Sequence, residues 1–150
     1  MKTDFKVAEI KLKYRNKTPY EERKKIISSD SAYPLFLQSY PDDTLDYREA
    51  FKVLYLDQAN HVLGISTISE GGLSSASVDI RIIFQGALLT NAVGMILCHN
   101  HPSGRTVPSN EDLNITDSIV KAGKLLNIRV LDHLVISREN YYSFANEGKL

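Results

Sequence analysis

An apolar run, AVGMILC at residues 92–98, constrains the fold of this chain more than any other feature. It is far shorter than the roughly 20 residues that a membrane-spanning helix needs, and it is typical of a strand buried on both faces. The segments 78–91 and 109–127 on either side space their apolar residues as one face of a helix does. The sequence therefore predicts a central buried strand that is covered by helices.

Further strands are predicted on both sides of this run. The segments 48–57 and 61–69 are separated by the turn DQAN, which favours a hairpin. Towards the C-terminus, the segments 129–137 and 141–145 also have the character of strands. Strands that alternate with helices predict an α/β fold, in which a mixed β-sheet is flanked by helices.

The first 45 residues are predicted to form a strand and helix extension ahead of a domain over 46–150. VAEIKLKY, at residues 7–14, alternates apolar and polar side chains and so predicts an edge strand. EERKKII favours a short helix, and SSDSAYPLFLQSY favours a second helix that holds Pro34 in its first turn. The segment EGGLSSAS, at residues 70–77, is expected to be flexible.

Charge and composition narrow the classes of protein to which this chain can belong. Residues 1–30 contain nine Lys and Arg against five Asp and Glu, a net charge of +4 in a chain of zero net charge. This basic segment leaves contact with nucleic acid or an acidic partner open. No run of about 18 apolar residues occurs, and the first residues lack the apolar core of a signal peptide. We therefore expect no membrane association and a cytoplasmic location.

The residues after the apolar run, CHNHPSGRTVPSNED, carry the candidate chemistry. His99 and His101 are two positions apart, so a strand projects both from one face and sends Cys98 to the other. Ser109 suits the N-cap of the next helix, which makes Asp112 the acidic end of a capping box. Asp112 either serves as that cap alone or also reaches a metal ion beside the histidines.

Two histidines and one carboxylate predict a catalytic metal site. Three protein ligands leave a fourth position for water, which is the pattern of catalytic rather than structural zinc. Nitrogen and oxygen ligands suit Zn²⁺, although other divalent metals are compatible. We therefore expect one Zn²⁺ per chain at His99, His101 and Asp112, where it would activate a water molecule. A glutamate beside that water would be the usual general base.

The pattern H99-x-H101-x7-S109-x2-D112 resembles the JAMM signature of JAB/MPN-domain metallopeptidases. The longer text HNHPSGRTVPSNED, followed by a helix and LLNIRVLDHLVIS, is similar to the bacterial RadC-like branch, and the resemblance extends over residues 46–147. It departs at Arg105, where that branch usually has Asp or another small polar residue. The resemblance implies a cytidine-deaminase-like α/β fold, the JAB/MPN fold, with zinc held by the same three ligands.

The resemblance also implies roles for other residues. Ser109 would stabilise the oxyanion of a tetrahedral intermediate, and a glutamate on an earlier strand would act as general acid and base. Glu49, at the start of the first hairpin strand, is favoured for that role, and Glu70 at the end of the second strand is the alternative. His133 is expected to lie in the core or to bond to a carboxylate beside the site, rather than to bind the metal.

These features predict a zinc-dependent hydrolase, a metallopeptidase or isopeptidase that cleaves a peptide or isopeptide bond. The alternative is a RadC-like protein that processes nucleic acid or takes part in DNA repair, a label that RadC-like proteins have carried and that the basic segment fits. A nucleobase deaminase is excluded because it needs a later P-C-x-x-C motif, and Cys98 is the only cysteine. A non-catalytic scaffold is disfavoured because every ligand position is filled.

Overall fold

The computed structural model describes residues 6–71 and 77–150, and within these ranges the centre is a five-stranded mixed sheet. Its strands are β1 (Ala50–Leu56), β2 (Val62–Glu70), β3 (Gly94–Asn100), β4 (Arg129–Ile136) and β5 (Tyr141–Ser143). They lie in the order β2-β1-β3-β4-β5, and only the pair of β3 with β4 is parallel. The predicted hairpin is β1 and β2, and the predicted class, a mixed sheet in an α/β fold, is confirmed.

Helices cover both faces of this sheet. In the described ranges they are α1 (Ser29–Ser39), α2 (Ile80–Leu89) and α3 (Asn110–Leu126). On one face, Ala32 and Phe36 of α1 pack in a buried cluster with alternate residues of β1, β3 and β4. On the other face, Ile83 of α2 and Ile119 of α3 pack in a second cluster with the intervening residues of β1 and β3. β1 and β3 are therefore buried along their whole length.

β3 is the strand predicted from the apolar run, and it continues further than that run. It ends at Asn100, so His99 lies inside the strand and His101 directly follows it. α3 leads from β3 to β4, and the two strands are parallel, so α3 crosses back over the sheet and begins beside the C-terminal end of β3. The topology thus brings the start of α3 to the histidines.

The predicted edge strand at residues 7–14 is wrong. This segment has no strand structure, and Ile10 and Leu12 are 84 % and 80 % exposed. Alternation stabilises a strand only where one face is buried and the backbone is paired. Here the segment is linked to β2 through side chains instead, because the Tyr14 hydroxyl and the Asn16 amide donate hydrogen bonds to the Leu63 carbonyl.

Two expectations for the following helices also need correction. EERKKII is not a helix: a single 3₁₀ turn covers Tyr20–Glu22, and Lys25 then forms a β-bridge with His61. α1 forms as predicted, but Pro34 lies in its interior rather than in its first turn. The helix loses a backbone hydrogen bond at Pro34. It is held on the sheet by the completely buried Phe36 and by the hydrogen bond that the Tyr33 hydroxyl donates to the Ser137 carbonyl.

Some expectations lie outside what the structure decides. The predicted flexible segment 70–77 includes residues 72–76, which are outside the described residues, whereas Glu70 belongs to β2. The division of the chain at residue 45 stays a prediction. Across the described ranges, no helix combines the length and the apolar character that crossing a bilayer requires.

The position of α3 depends on the close approach of Gly123 to the backbone. A Cβ atom at Gly123 would overlap the carbonyl oxygen of Ile128, which cannot move without shifting the entry to β4. We expect Gly123→Ala to lower the free energy of unfolding by about 1–3 kcal/mol, as measured by urea denaturation. Gly64→Ala is the control, because a Cβ atom there has no neighbour within 4 Å. Equal stability of the two variants would contradict this packing.

Candidate metal centre

The two histidines converge because of their places on β3 and just beyond it. His99 pairs with Phe51 of β1 on one side and with Val135 of β4 on the other, and it is almost completely buried. The backbone N–H of His101 donates to the Ile136 carbonyl at 3.0 Å, so the chain stays alongside β4. Both side chains therefore leave the same face, and their Nε2 atoms are 3.1 Å apart.

The start of α3 supplies a carboxylate to the same point. Ser109 is the N-cap, and its hydroxyl oxygen accepts the N–H of Asp112 at 3.1 Å, while the Asp112 carboxylate accepts the N–H of Ser109 at 2.7 Å. This confirms the predicted capping box. The same carboxylate has Oδ1 at 3.2 Å from His99 Nε2 and Oδ2 at 3.4 Å from His101 Nε2. Asp112 therefore combines the cap with a place in the cluster.

These three donor groups fit a zinc ion. Tetrahedral ligands about 2.0–2.2 Å from Zn²⁺ lie about 3.3–3.6 Å apart. The two Nε2 atoms are 3.1 Å apart, and the two oxygens of Asp112 lie 3.2 Å from His99 and 3.4 Å from His101, which is close to that separation. Two imidazole nitrogens and a carboxylate oxygen are also a ligand set that Zn²⁺ accepts. Cys98 takes no part, because it is buried on the α1 face, where burial raises the pKa of its thiol.

Glu49, rather than Glu70, lies beside the histidines. Glu49 immediately precedes β1, and its Oε1 is 4.0 Å from His99 Nε2. Ligand atoms of Glu49, the two histidines and Asp112 all lie within 4.8 Å of one another. Glu70 is exposed and pairs with Ala50, whose side chain packs on the α1 face. Because paired residues share a face, Glu70 points away from His99.

A backbone carbonyl orients His101. Its Nδ1 is 2.7 Å from the Arg105 carbonyl oxygen, which can only accept, so Nδ1 carries the hydrogen and Nε2 faces Asp112. Gly104 makes this contact reachable, because its φ of 84° closes the turn in which its N–H donates to the His101 carbonyl. The Arg105 side chain is not needed for this bond, so the departure from the family pattern at this position leaves it intact.

His133 is completely buried beside the cluster, which confirms the expected core position, whereas the alternative of a bond to a carboxylate is not formed. Its Nε2 is 2.8 Å from His99 Nδ1, and its Nδ1 is 2.6 Å from the Thr116 hydroxyl, so it bonds to no carboxylate through its ring. The carboxylate next to it in the chain, Asp132, is adjacent on β4 and so points to the opposite face. There its carboxylate accepts hydrogen bonds from the hydroxyls of Ser29 and Ser143.

The charges of the cluster favour a cation. Burial works to raise the pKa of Asp112, but hydrogen bonds with His101 and His99 outweigh it and hold that pKa well below the usual range. The hydrogen bond with Asp112 in turn raises the pKa of His101. Burial lowers the pKa of His133 well below its usual value, so this ring stays neutral. A fixed carboxylate charge therefore lies between two imidazole nitrogens.

Asn100 is a residue of the centre that the sequence analysis missed. Its side chain is completely buried on the α1 side of β3. The amide oxygen accepts the N–H of Ala50 at 2.8 Å, and the amide nitrogen donates to the carbonyls of Leu45 and Arg48, both at 2.7 Å. These bonds hold the backbone on both sides of Glu49. A polar residue inside an apolar strand must find partners, and this was the available signal.

The bonds of Asn100 generate a stability prediction. Asn100→Asp has nearly the same shape but loses both N–H donors, which leaves the carbonyls of Leu45 and Arg48 without their partner. We expect the free energy of unfolding to fall by roughly 2–4 kcal/mol, as measured by chemical denaturation. Asn114→Asp, at an exposed position of α3, is the matched control and should change it by less than about 0.5 kcal/mol. Similar values for both variants would show that Asn100 does not hold this segment.

Comparison with known proteins identifies the family of this chain and agrees with the fold. Residues 26–149 match the family described as RadC-like JAB domain. A UPF0758 protein of Flavobacterium johnsoniae is 42 % identical over 125 residues, which are 83 % of this chain and 53 % of that protein. The UPF0758 protein YfjY of Escherichia coli is 46 % identical over 103 residues, 69 % of this chain and 64 % of that protein.

These matches cover a larger share of this chain than of the relatives. A UPF0758 protein of Methanosarcina acetivorans is 40 % identical over 128 residues, which cover 85 % of this chain and 55 % of that protein. The chain therefore spans about half the length of several curated relatives that it matches. The family match covers most of the chain, including all of the strands and helices α1 to α3. The chain belongs to the RadC-like JAB domain family.

Proposed function

We propose that this chain is a zinc-dependent hydrolase that cleaves peptide or isopeptide bonds. The observation that carries the proposal is that Nε2 of His99 and Nε2 of His101 lie 3.1 Å apart, and that each lies 3.2–3.4 Å from an oxygen of the Asp112 carboxylate. These three residues would hold the Zn²⁺. When bound, the metal would act as a Lewis acid and lower the pKa of a coordinated water.

Glu49 has the position and environment of a general base. The Glu49 carboxylate is 4.0 Å from His99 Nε2, whereas the Asp112 carboxylate is 3.2 Å from it. Glu49 would therefore lie beside the ion rather than bind it directly. Burial raises its pKa, against the opposing effect of His99 and His101. A raised pKa suits a carboxylate that first accepts a proton from the attacking water and then donates it to the leaving amine.

Ser109 is proposed to stabilise the oxyanion. As the N-cap it uses a lone pair of its hydroxyl oxygen to accept the Asp112 N–H. The cap does not use the hydroxyl hydrogen, which can donate to a negatively charged oxygen of the substrate. Capping and oxyanion stabilisation are therefore compatible in one side chain.

The charge of the adjacent cavity favours a peptide over a nucleic acid. A cavity of about 310 Å³ opens at the centre, and Glu49, Glu111 and Asp112 are among its lining residues. Those of its lining residues that the structure describes include no Lys or Arg. Even with the two positive charges of a bound Zn²⁺, three carboxylates leave the cavity net negative, which disfavours a phosphodiester backbone, whereas an amide bond carries no charge. The basic segment at residues 1–30 supports the alternative, a nucleic-acid substrate, which the following experiment includes.

The proposal is tested with two matched glutamate variants. The zinc-loaded chain, Glu49→Gln and Glu70→Gln are each incubated with a peptide library, an isopeptide-linked lysine substrate and single- and double-stranded DNA. We expect cleavage of a peptide or isopeptide bond that falls about 10²- to 10⁴-fold in Glu49→Gln and is unchanged in Glu70→Gln. Zinc content should stay at one per chain in both variants.

Metal removal completes this test. A chelator should abolish the cleavage, and added Zn²⁺ should restore it. His99→Ala should lose both zinc and activity, because it removes the most buried of the three ligands. DNA cleavage that persists in Glu49→Gln and in the presence of chelator would contradict the proposed function, as would full retention of zinc in His99→Ala.

A further inference from the structure

We propose that Thr116 determines which nitrogen of His99 faces the metal, and that it does so through His133. Thr116 would thus be a positioning residue that contacts neither metal nor substrate. The consequence for zinc affinity rests on the proposed function. The direction of the hydrogen bonds is a property of the protein itself, and it can be measured without metal.

Four contacts form a closed ring around the buried side of the centre. Asp112 Oδ1 lies 3.2 Å from His99 Nε2, and His99 Nδ1 lies 2.8 Å from His133 Nε2. His133 Nδ1 lies 2.6 Å from Thr116 Oγ1, which lies 2.6 Å from the backbone carbonyl oxygen of Asp112. Asp112 therefore takes part in the ring twice, through its side chain and through its backbone carbonyl. It can do so because it lies one helical turn before Thr116.

The carbonyl at the end of this ring sets the direction of the three hydrogen bonds that link His99, His133, Thr116 and Asp112. A carbonyl oxygen can only accept, so the Thr116 hydroxyl must donate to Asp112. The hydroxyl then has only lone pairs left for His133, whose Nδ1 must carry the hydrogen. The His133 ring is completely buried and its partners are His99 and the Thr116 hydroxyl, with no carboxylate, so we expect it to hold a single hydrogen. Its Nε2 must therefore accept from Nδ1 of His99. His99 thus carries a hydrogen on Nδ1, which leaves Nε2 as the nitrogen that can bind an ion beside Asp112 and His101.

The opposite direction is unfavourable at the threonine. If Thr116 donated to His133 instead, two acceptor oxygens would face each other at 2.6 Å without a hydrogen between them. Water cannot easily relieve this, because Thr116 and His133 are buried. The His133 ring is also held in place by Phe144, which stacks on it at 4.7 Å, and by Phe51, whose ring centre is 5.4 Å away.

The half-buried His101 and the buried His99 are thus oriented by different means. His101 is directed by the carbonyl of the neighbouring turn, and His99 by a hydroxyl that is reached through a second imidazole. Both arrangements place hydrogen on Nδ1 and leave Nε2 for the ion. Without the Thr116 hydroxyl, His133 can carry its hydrogen on either nitrogen. If that hydrogen is on Nε2, His99 Nδ1 must accept it, and the hydrogen of His99 then lies on Nε2, the nitrogen that should bind the ion.

The test compares Thr116→Val with Thr116→Ser in the full chain. Valine keeps the branched shape but removes the hydroxyl, whereas serine keeps the hydroxyl. Nitrogen NMR of the metal-free, histidine-labelled protein reports which ring nitrogen of His133 carries hydrogen. We expect hydrogen on Nδ1 in the wild type and in Thr116→Ser, and a shift towards Nε2 in Thr116→Val. Competition with a chromophoric chelator should show that Thr116→Val binds zinc about 10- to 100-fold more weakly than Thr116→Ser.

Several results would overturn the inference. Hydrogen on Nε2 of His133 in the wild type would do so directly, and this measurement decides even if Thr116→Val does not fold. A folded Thr116→Val protein with unchanged tautomer and unchanged zinc affinity would also do so. A wild-type chain that shows the expected tautomer but binds no zinc would support the hydrogen-bond direction and contradict the proposed function instead.

Discussion

The pairing of β3 between β1 and β4 is the constraint on which the rest of the centre depends. Pairing on both sides holds the backbone of His99 in the middle of the sheet. The parallel connection from β3 to β4 then requires α3 to cross back, so its first turn lies at the end of β3. Asp112 reaches the histidines for this topological reason, and the positive end of the α3 dipole favours its carboxylate there.

Local features of the sequence predicted much of this arrangement. The continuous apolar run at residues 92–98 indicated β3, and the spacing of two residues placed His99 and His101 on one face. The capping box of Ser109 and Asp112 follows from a hydrogen-bond pattern that spans only four residues, and the structure has it as predicted. Each of these inferences depends on interactions between close neighbours in the chain.

The features that sequence reasoning missed depend on distant pairings. The prediction of a strand at residues 7–14 was wrong because alternating apolar and polar residues do not reveal whether the edge of a sheet will pair with that segment. Thr116 and His133 are 17 residues apart, and Asn100 bonds to a carbonyl 55 residues before it. A sequence shows that such polar residues need partners if they are buried, but it does not show which partners. Of the two alternatives for His133, the structure has the core position, and its ring bonds to no carboxylate because the neighbouring Asp132 lies on the opposite face of the strand.

The most direct test of the central claim is the position of the metal ion itself. Anomalous diffraction at the zinc absorption edge, from crystals of the zinc-loaded chain, locates the ion independently of any activity. We expect one peak per chain, about 2.0–2.2 Å from Nε2 of His99, Nε2 of His101 and a carboxylate oxygen of Asp112, with Glu49 beyond ligand distance. A peak elsewhere, or an ion bound by Glu49 in place of Asp112, would contradict this account.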